Sequence, residues 1–161
     1  MFRIVPGYLS EEKLRLRPVR LSDGPFMKNG FGEKDVLEAN GSGRQMSASW
    51  FFVWWWIKKT YVYSYCIDLD SRPIGFIGLY DLRPDKSADI SLAIFDNVLR
   101  RNGYGTRAFR LFAKSLQRHP ALERIFVSVQ AENYAARSFW RHLGFGEATA
   151  SGGIVDMSLD L

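Results

Sequence analysis

Lys13 to Val19 alternates charged Lys13, Arg15 and Arg17 with apolar Leu14 and Leu16, the two-residue period of a strand with one buried face. Leu21-Ser22-Asp23-Gly24-Pro25 breaks that alternation and offers Ser22 or Asp23 as a helix cap. Residues 26–48 read as polar and glycine-spotted chain, with a short helix over Lys34 to Ala39. Ser47 to Lys59 carries Trp50, Trp54 and Ile57 at helical spacing, while Phe51, Phe52, Trp55 and Trp56 leave little polar face. Such a helix is either almost wholly buried or the lining of an aromatic cleft. Tyr61 to Asp70 and Pro73 to Leu82 are aromatic and β-branched runs joined by the hairpin signature Asp70-Ser71-Arg72-Pro73. A turn at Arg83-Pro84-Asp85-Lys86 leads into a third apolar run, Ala88 to Phe95.

The period then lengthens. Over Tyr104 to Gln117, Ala108, Leu111, Phe112 and Leu116 form one helical stripe and Arg107, Arg110, Lys114 and Arg118 another. Arg124 to Gln130 alternates as a strand. Asn133 is placed to cap a helix with apolar Ala136, Phe139, Trp140 and Leu143, ended by Gly144 in the left-handed conformation. Ile154 to Leu161 alternates again, as a last strand with one wet face. The order β-α-α-β-β-β-α-β-α-β, an antiparallel half followed by a strand–helix–strand crossover, predicts an α/β (α+β) domain on a mixed sheet with helices on both faces.

Composition narrows the class. A chain of 161 residues with 47% hydrophobic and 15% aromatic residues has the size and material for a single domain with a real core, which excludes a disordered chain. One cysteine excludes a disulfide scaffold and a cysteine-based zinc ribbon, and no metal site is expected. The longest apolar run, Trp50 to Ile57, is far short of the roughly 18 residues that span a bilayer, and Arg3 and Pro6 interrupt any signal-peptide pattern. A cytoplasmic protein without membrane attachment is expected. The net charge of +5 is unevenly spread. Val98 to His142 holds nine basic and two acidic residues, a local +7, so an anionic partner is expected there.

Arg100-Arg101-Asn102-Gly103-Tyr104-Gly105-Thr106-Arg107-Ala108 lies between the third strand and its helix. Two glycines one residue apart let the main chain approach a bulky ligand, and the first helix amides favour negative charge. With two arginines beside them, the loop suits a phosphate or pyrophosphate. The triphosphate loop GxxxxGK[ST] is absent. The dinucleotide pattern GxGxxG/A is formally present as Gly103 to Ala108, but a polar spacer and antiparallel strands precede it, where that fold requires a parallel sheet.

The loop also resembles the R/Q-x-x-G-x-G/A signature of the GNAT acetyltransferase superfamily. Asn133 to Phe145 resembles that family's second motif, N-x-x-A-x-x-x-Y-x-x-x-G-F. Leu14-Arg15-Leu16-Arg17-Pro18 is similar to the branch holding ribosomal-protein N-terminal acetyltransferases and related polyamine and aminoglycoside enzymes. The resemblance covers most of the chain. It implies a twisted, mostly antiparallel sheet of six to seven strands, acetyl-CoA as donor, and direct attack of an amine on the thioester. The acceptor would be a small-molecule amine or a peptide N-terminus; a homodimer is compatible with it.

Through that resemblance the residues take roles. The amides from Arg101 through Asn102, Gly103, Tyr104 and Gly105 to Thr106 would hold the coenzyme A diphosphate, with Arg100 or Arg101 adding charge. Ile94 and Phe95 would lie along the pantetheine arm, and Asn133 and Arg137 sit where the family often contacts the cofactor; Asn133 is equally a plain helix cap. Asp89 and Asp81 are the candidate bases, or else turn and strand-end aspartates. Trp140 stands in place of the family's tyrosine proton donor, and an indole N–H is no practical acid; Tyr134, Ser138 and His142 are nearby substitutes. Trp50 and Trp54 fall where the family builds its acceptor wall, although core packing explains such rings equally well. Cys66 reads as core filling and not as a nucleophile. The rival classes are an acyl-CoA-binding module without turnover, a dinucleotide-binding domain, and a nucleic-acid binder using the Arg107, Arg110, Lys114, Arg118 stripe; no specific nucleic acid is expected.

Overall fold

The computed structural model describes residues 7–33, 47, 49, 51, 53, 63–118 and 121–161. The helix expected over Lys34 to Ala39 and the rings of Trp50 and Trp54 lie outside the described residues. The described strands form one eight-stranded sheet. Along the chain they are β1 (Leu9–Glu11), β2 (Leu14–Pro18), β3 (Tyr63–Leu69), β4 (Arg72–Tyr80), β5 (Ser87–Ile94), β6 (Arg124–Gln130), β7 (Gly146–Ser151) and β8 (Ile154–Asp160), with β8 and β7 exchanged in the spatial order. Helix α1 spans Gly24–Phe31, α2 Tyr104–Leu116 and α3 Tyr134–His142. Every neighbouring pair is antiparallel except β5 and β6.

The mixed, mostly antiparallel architecture is the expected one, with eight strands where six to seven were anticipated. The two strands beyond the six read along the chain are the edges, and neither has a readable period. β1 is three residues long, and β7 is the small-residue run Gly-Glu-Ala-Thr-Ala-Ser, exposed throughout. The β3–β4 hairpin turns on Asp70 and Ser71, both left-handed at φ 48° and 66°, the primed geometry that matches strand twist.

Each face of the sheet has its own core. Tyr65, Ile67, Ile77, Leu79, Ile90, Ile125, Val127 and Met157 pack against Phe109 and Phe112 of α2 and Trp140 of α3. The alternate positions Cys66 and Phe76, with Phe95, pack against Met27, Phe26 and Phe31 of α1 and against Phe51. Helix α1 runs directly after the expected cap into the stretch read as polar, glycine-spotted chain. Gly30 weakens the helical pattern, but a Cβ there would stand 2.2 Å from the Phe95 ring, so the glycine is what allows helix and ring to touch.

Asp23 is the N-cap residue of α1, one of the two expected, yet it makes no side-chain cap bond. Its carboxylate takes Arg17 Nη1 and Nη2, each at 2.8 Å, and the Arg20 amide at 2.6 Å. Arg17 Nε donates to Asp68 at 2.7 Å. All three side chains are buried, so one guanidinium joins β2, β3 and the entrance to α1. Burial raises the Asp23 pKa, but the Arg17 and Arg20 hydrogen bonds outweigh it and hold the carboxyl below the usual carboxylate range.

Candidate active site

Strands β5 and β6 pair in parallel for three residues only, Ser87–Arg124, Ala88–Ile125 and Asp89–Phe126. Beyond Asp89, β5 stays with β4 as far as Ile94 and β6 stays with β8 as far as Gln130, so the two diverge and a gap opens between them. Main-chain direction alternates along a strand. The Phe95 amide donates to Ile74 at 2.9 Å on the β4 side, so Ile90, Leu92 and Ile94 turn their N–H and C=O groups toward the gap. On the other wall, Ala131 N donates to Gly153 O at 2.8 Å on the β8 side, so Ser128 and Gln130 turn theirs inward. The expected pantetheine contacts divide accordingly. Ile94 borders the gap, whereas the Phe95 main chain faces β4 and its ring is buried under α1. Leu92 and Ile90, which sequence reasoning did not single out, have the main chain placed to pair with an amide-bearing arm.

The loop from Asp96 to Gly103 closes one end of this gap. Asp96 builds the turn, its carboxylate accepting from Val98 N at 2.9 Å and its carbonyl from Leu99 N at 3.1 Å. Asn102 Nδ2 donates to Val98 O at 2.9 Å, so this side chain shapes the loop. Arg101 and Gly103 are left-handed, at φ 64° and 82°, which swings the amides outward before α2 begins. The first internal bond of α2 is Arg107 N to Gly103 O at 3.0 Å. None of the amides from Arg101 to Thr106 donates to an acceptor among the described residues. Space is open before them: a Cβ on Gly103 would meet nothing within 4 Å. Six main-chain donors at the positive end of a 13-residue helix fit a diphosphate.

Of the two arginines, Arg101 is exposed on the loop. Arg100 is folded back, with Nε on Ile94 O at 2.7 Å and Nη2 near Phe95 O at 3.4 Å. Burial lowers its pKa, opposed by the charge of Glu33.

Helix α3 supplies the remaining wall. A Cβ on Gly105 would sit 3.5 Å from Phe139 Cζ and 3.9 Å from Ile94 Cγ1, so these three residues meet where loop, strand and helix converge. Asn133 Oδ1 accepts from Ala136 N at 3.1 Å as the helix cap. Arg137 Nη1 donates to Ala131 O at 2.9 Å and Nη2 to Glu147 at 2.7 Å. Glu147 also takes Arg141 at 2.8 Å, and the Arg137 hydrogen bond leads in holding its pKa down. Trp140 is buried in an aromatic group, with ring centroids at 6.0 Å from Phe109, 5.1 Å from Phe139 and 4.9 Å from Phe145. Tyr134, Ser138 and His142 are exposed, and Arg137 lies over the Tyr134 ring at 5.8 Å.

At the throat of the gap stands Asp89. Its neighbours Ala88 and Ile90 belong to the core under α2, so its side chain projects to the opposite face. Arg83 Nη2 donates to it at 2.6 Å, and this bond is the main cause raising the Arg83 pKa. Tyr80, paired across from Asp89, has its phenol pKa raised by burial first and then by the Asp89 and Asp81 charges. Asp81 follows β4 as an exposed left-handed residue at φ 52°. Cys66 is fully buried on the α1 face, and burial pushes its thiol up. Among the described residues no group of three or more His, Cys, Asp or Glu could hold a metal, and no helix is long and apolar enough to cross a membrane.

The sheet thus parts after a short parallel pairing, and unpartnered amides at a helix start lie beside the opening. The family model for the acetyltransferase (GNAT) domain matches residues 13–146, and the chain belongs to that family. Its domain is an acetyltransferase domain. No curated protein matches it in sequence. Among solved structures, a domain from Methanocaldococcus jannaschii is similar at TM-score 0.82 and 15% identity, over 92% of this chain and 99% of that one. A spermidine N-acetyltransferase from Vibrio cholerae, in complex with CoA and spermine, is similar at TM-score 0.78 and 18% identity, over 93% and 96%. An acetyltransferase from Salmonella typhimurium that modifies the N-terminal serine of a 50S ribosomal subunit protein is similar at TM-score 0.76 and 14% identity, over 98% of both chains. Membership of an acetyltransferase family speaks against the nucleic-acid binder. The sheet itself removes the dinucleotide reading, since a single parallel pair is no doubly wound sheet.

Proposed function

We propose that residues 1–161 act as one cytoplasmic N-acetyltransferase domain that moves the acetyl group of acetyl-CoA directly to a primary amine, either a protein N-terminus or a small-molecule amine. The observation that carries this reading is the run of unpartnered amides from Arg101 to Thr106 beside the β5–β6 gap. Those amides would receive the diphosphate, and the inward groups of Leu92 and Ile90 would pair with the pantetheine amides. An amide of β5 in the gap is also a donor for the negative charge that develops on the thioester oxygen. When bound, acetyl-CoA supplies the activated acyl carbon. Cys66 is fully buried and burial pushes its thiol pKa up, which speaks against a route to an acyl-enzyme.

An ammonium has no lone pair to attack with, so a base must take a proton first. Asp89 is the residue we assign, directly or through a water, because it stands on the face opposite α2 at the point where the strands part. Arg83 fixes its orientation. Trp140, packed on three rings, is not a proton donor, which leaves solvent or an exposed group of α3 to protonate the leaving thiolate. That the similar Vibrio cholerae and Salmonella typhimurium enzymes act on a polyamine and on a protein N-terminus supports an amine acceptor.

The test has two stages. Acetyl-CoA should raise the melting temperature while NAD and DNA should not, since only a ligand of the native state stabilises it. In an assay against an amine and N-terminal-peptide panel, Asp89→Asn should lower kcat about a hundredfold or more at neutral pH, with the acetyl-CoA shift unchanged. A kcat within about threefold of wild type would remove Asp89 from the mechanism.

A further inference from the structure

We propose that Arg100 is a positioning residue that sets the spacing between the diphosphate cradle and the pantetheine strand, and does not itself bind the diphosphate. The inference rests on the reading of the Arg101–Thr106 amides as that cradle. Arg100 begins the signature, and its charge suggests a phosphate ligand. The geometry points elsewhere: Nε donates to Ile94 O at 2.7 Å, and Nη2 lies 3.4 Å from Phe95 O. Both carbonyls close β5, the strand that borders the gap.

Two consequences follow from chemistry. Ile94 is one of the residues whose main chain turns toward the gap. Its carbonyl is taken by Arg100 Nε, which leaves Leu92 and Ile90 as the inward groups free to pair with the arm. The same bond also spans from the loop that carries the six amides back to the strand that carries the inward groups of Leu92 and Ile90. A ligand that engages both must match their separation, and Arg100 is the side chain that ties the loop directly to the end of β5. A rigid planar fork suits this task, whereas a lysine offers one flexible ammonium that cannot hold the same fixed direction toward the strand. The half-buried location, where desolvation lowers the Arg100 pKa, fits a residue turned inward and not toward a solvated phosphate.

The experiment compares whole and partial ligands on the full chain by calorimetry. The probes are CoA, 3′-phosphoadenosine 5′-diphosphate, which carries only the diphosphate end, and pantetheine, which carries only the arm. The variants are Arg100→Lys and Arg100→Met. The expected result is a loss of CoA affinity of about tenfold in both variants, while each fragment binds as it does to wild type. The acetyl-CoA KM should rise by a similar factor with kcat little changed. A parallel fall for the diphosphate fragment would make Arg100 a direct phosphate ligand and overturn the proposal. So would CoA affinity unchanged in both variants. If wild-type chain binds neither CoA nor the diphosphate fragment, the cradle reading fails instead, which separates the two. Arg100→Lys keeps a charge at the site and guards against a variant that fails to fold.

Discussion

Replacing Gly105 by glutamate abolishes the stabilisation by acetyl-CoA and leaves the fold standing. Gly105 lies in the first turn of α2 with an ordinary helical backbone, and a Cβ there makes normal contacts with Phe139 at 3.5 Å and 3.6 Å. A carboxylate in a first turn suits the helix dipole, so α2 tolerates the change. It would sit among the amides that await the diphosphate. Two unit charges about 5 Å apart at an effective dielectric of about 20 repel by roughly 3 kcal/mol, which is more than a hundredfold in affinity. The thermal shift with saturating acetyl-CoA should vanish in Gly105→Glu and persist, weakened, in the isosteric Gly105→Gln. A full shift in Gly105→Glu would mean that the diphosphate lies elsewhere.

The largest effect on stability is expected at Arg17. Arg17→Met leaves the Asp23 and Asp68 carboxylates buried without their cation, and breaking a buried pair from one side costs about 3–5 kcal/mol. For a chain of this size that is a fall in Tm of about 10 °C or more. The exposed pair Lys13–Asp70, at 3.6 Å, is the control: Lys13→Ala should change stability by no more than about 1 kcal/mol. Acid should act on the same cluster. The Asp23 pKa is lower folded than unfolded, so its contribution is present above the unfolded value of about 4 and is lost as pH falls through the folded one. Wild type should therefore lose stability steeply below about pH 4, and Arg17→Met should lose less over the same range, by urea titration at each pH. Equal slopes would show that Asp23 is not held ionised by Arg17.

What the sequence displayed and what it hid have physical causes. Period-two alternation marks β6 and β8 because one face of each is buried, and β2 although its second face buries the charged Arg17; the stripe of α2 marks its core side. The positive φ of Gly144, 100°, and the cap at Asn133 are local chemistry and were legible. Helix α1 was hidden because Gly30 answers to Phe95, 65 positions further on. The motif residues also misled in detail. Arg100, Asn102, Asn133 and Arg137 all carry polar heads that suit a ligand, yet in the fold each has an acceptor or donor within the protein. In the glycine loop the groups left without partners among the described residues are main-chain amides, which every residue but proline owns and no sequence pattern displays; only the glycines betrayed them. Likewise Leu92 and Ile90 matter through the side of β5 on which their main chain falls, and that depends on the register with β4.

The chain has a single thiol. Thioesters exchange readily with free thiolates, and a protein that handles them risks acylating itself. Cys66, the chain's only cysteine, is closed off on the α1 face, with its proton held by desolvation and an aspartate beside it. Such a chain can sit in high concentrations of activated acyl groups without becoming their dead-end product, so long as it stays folded.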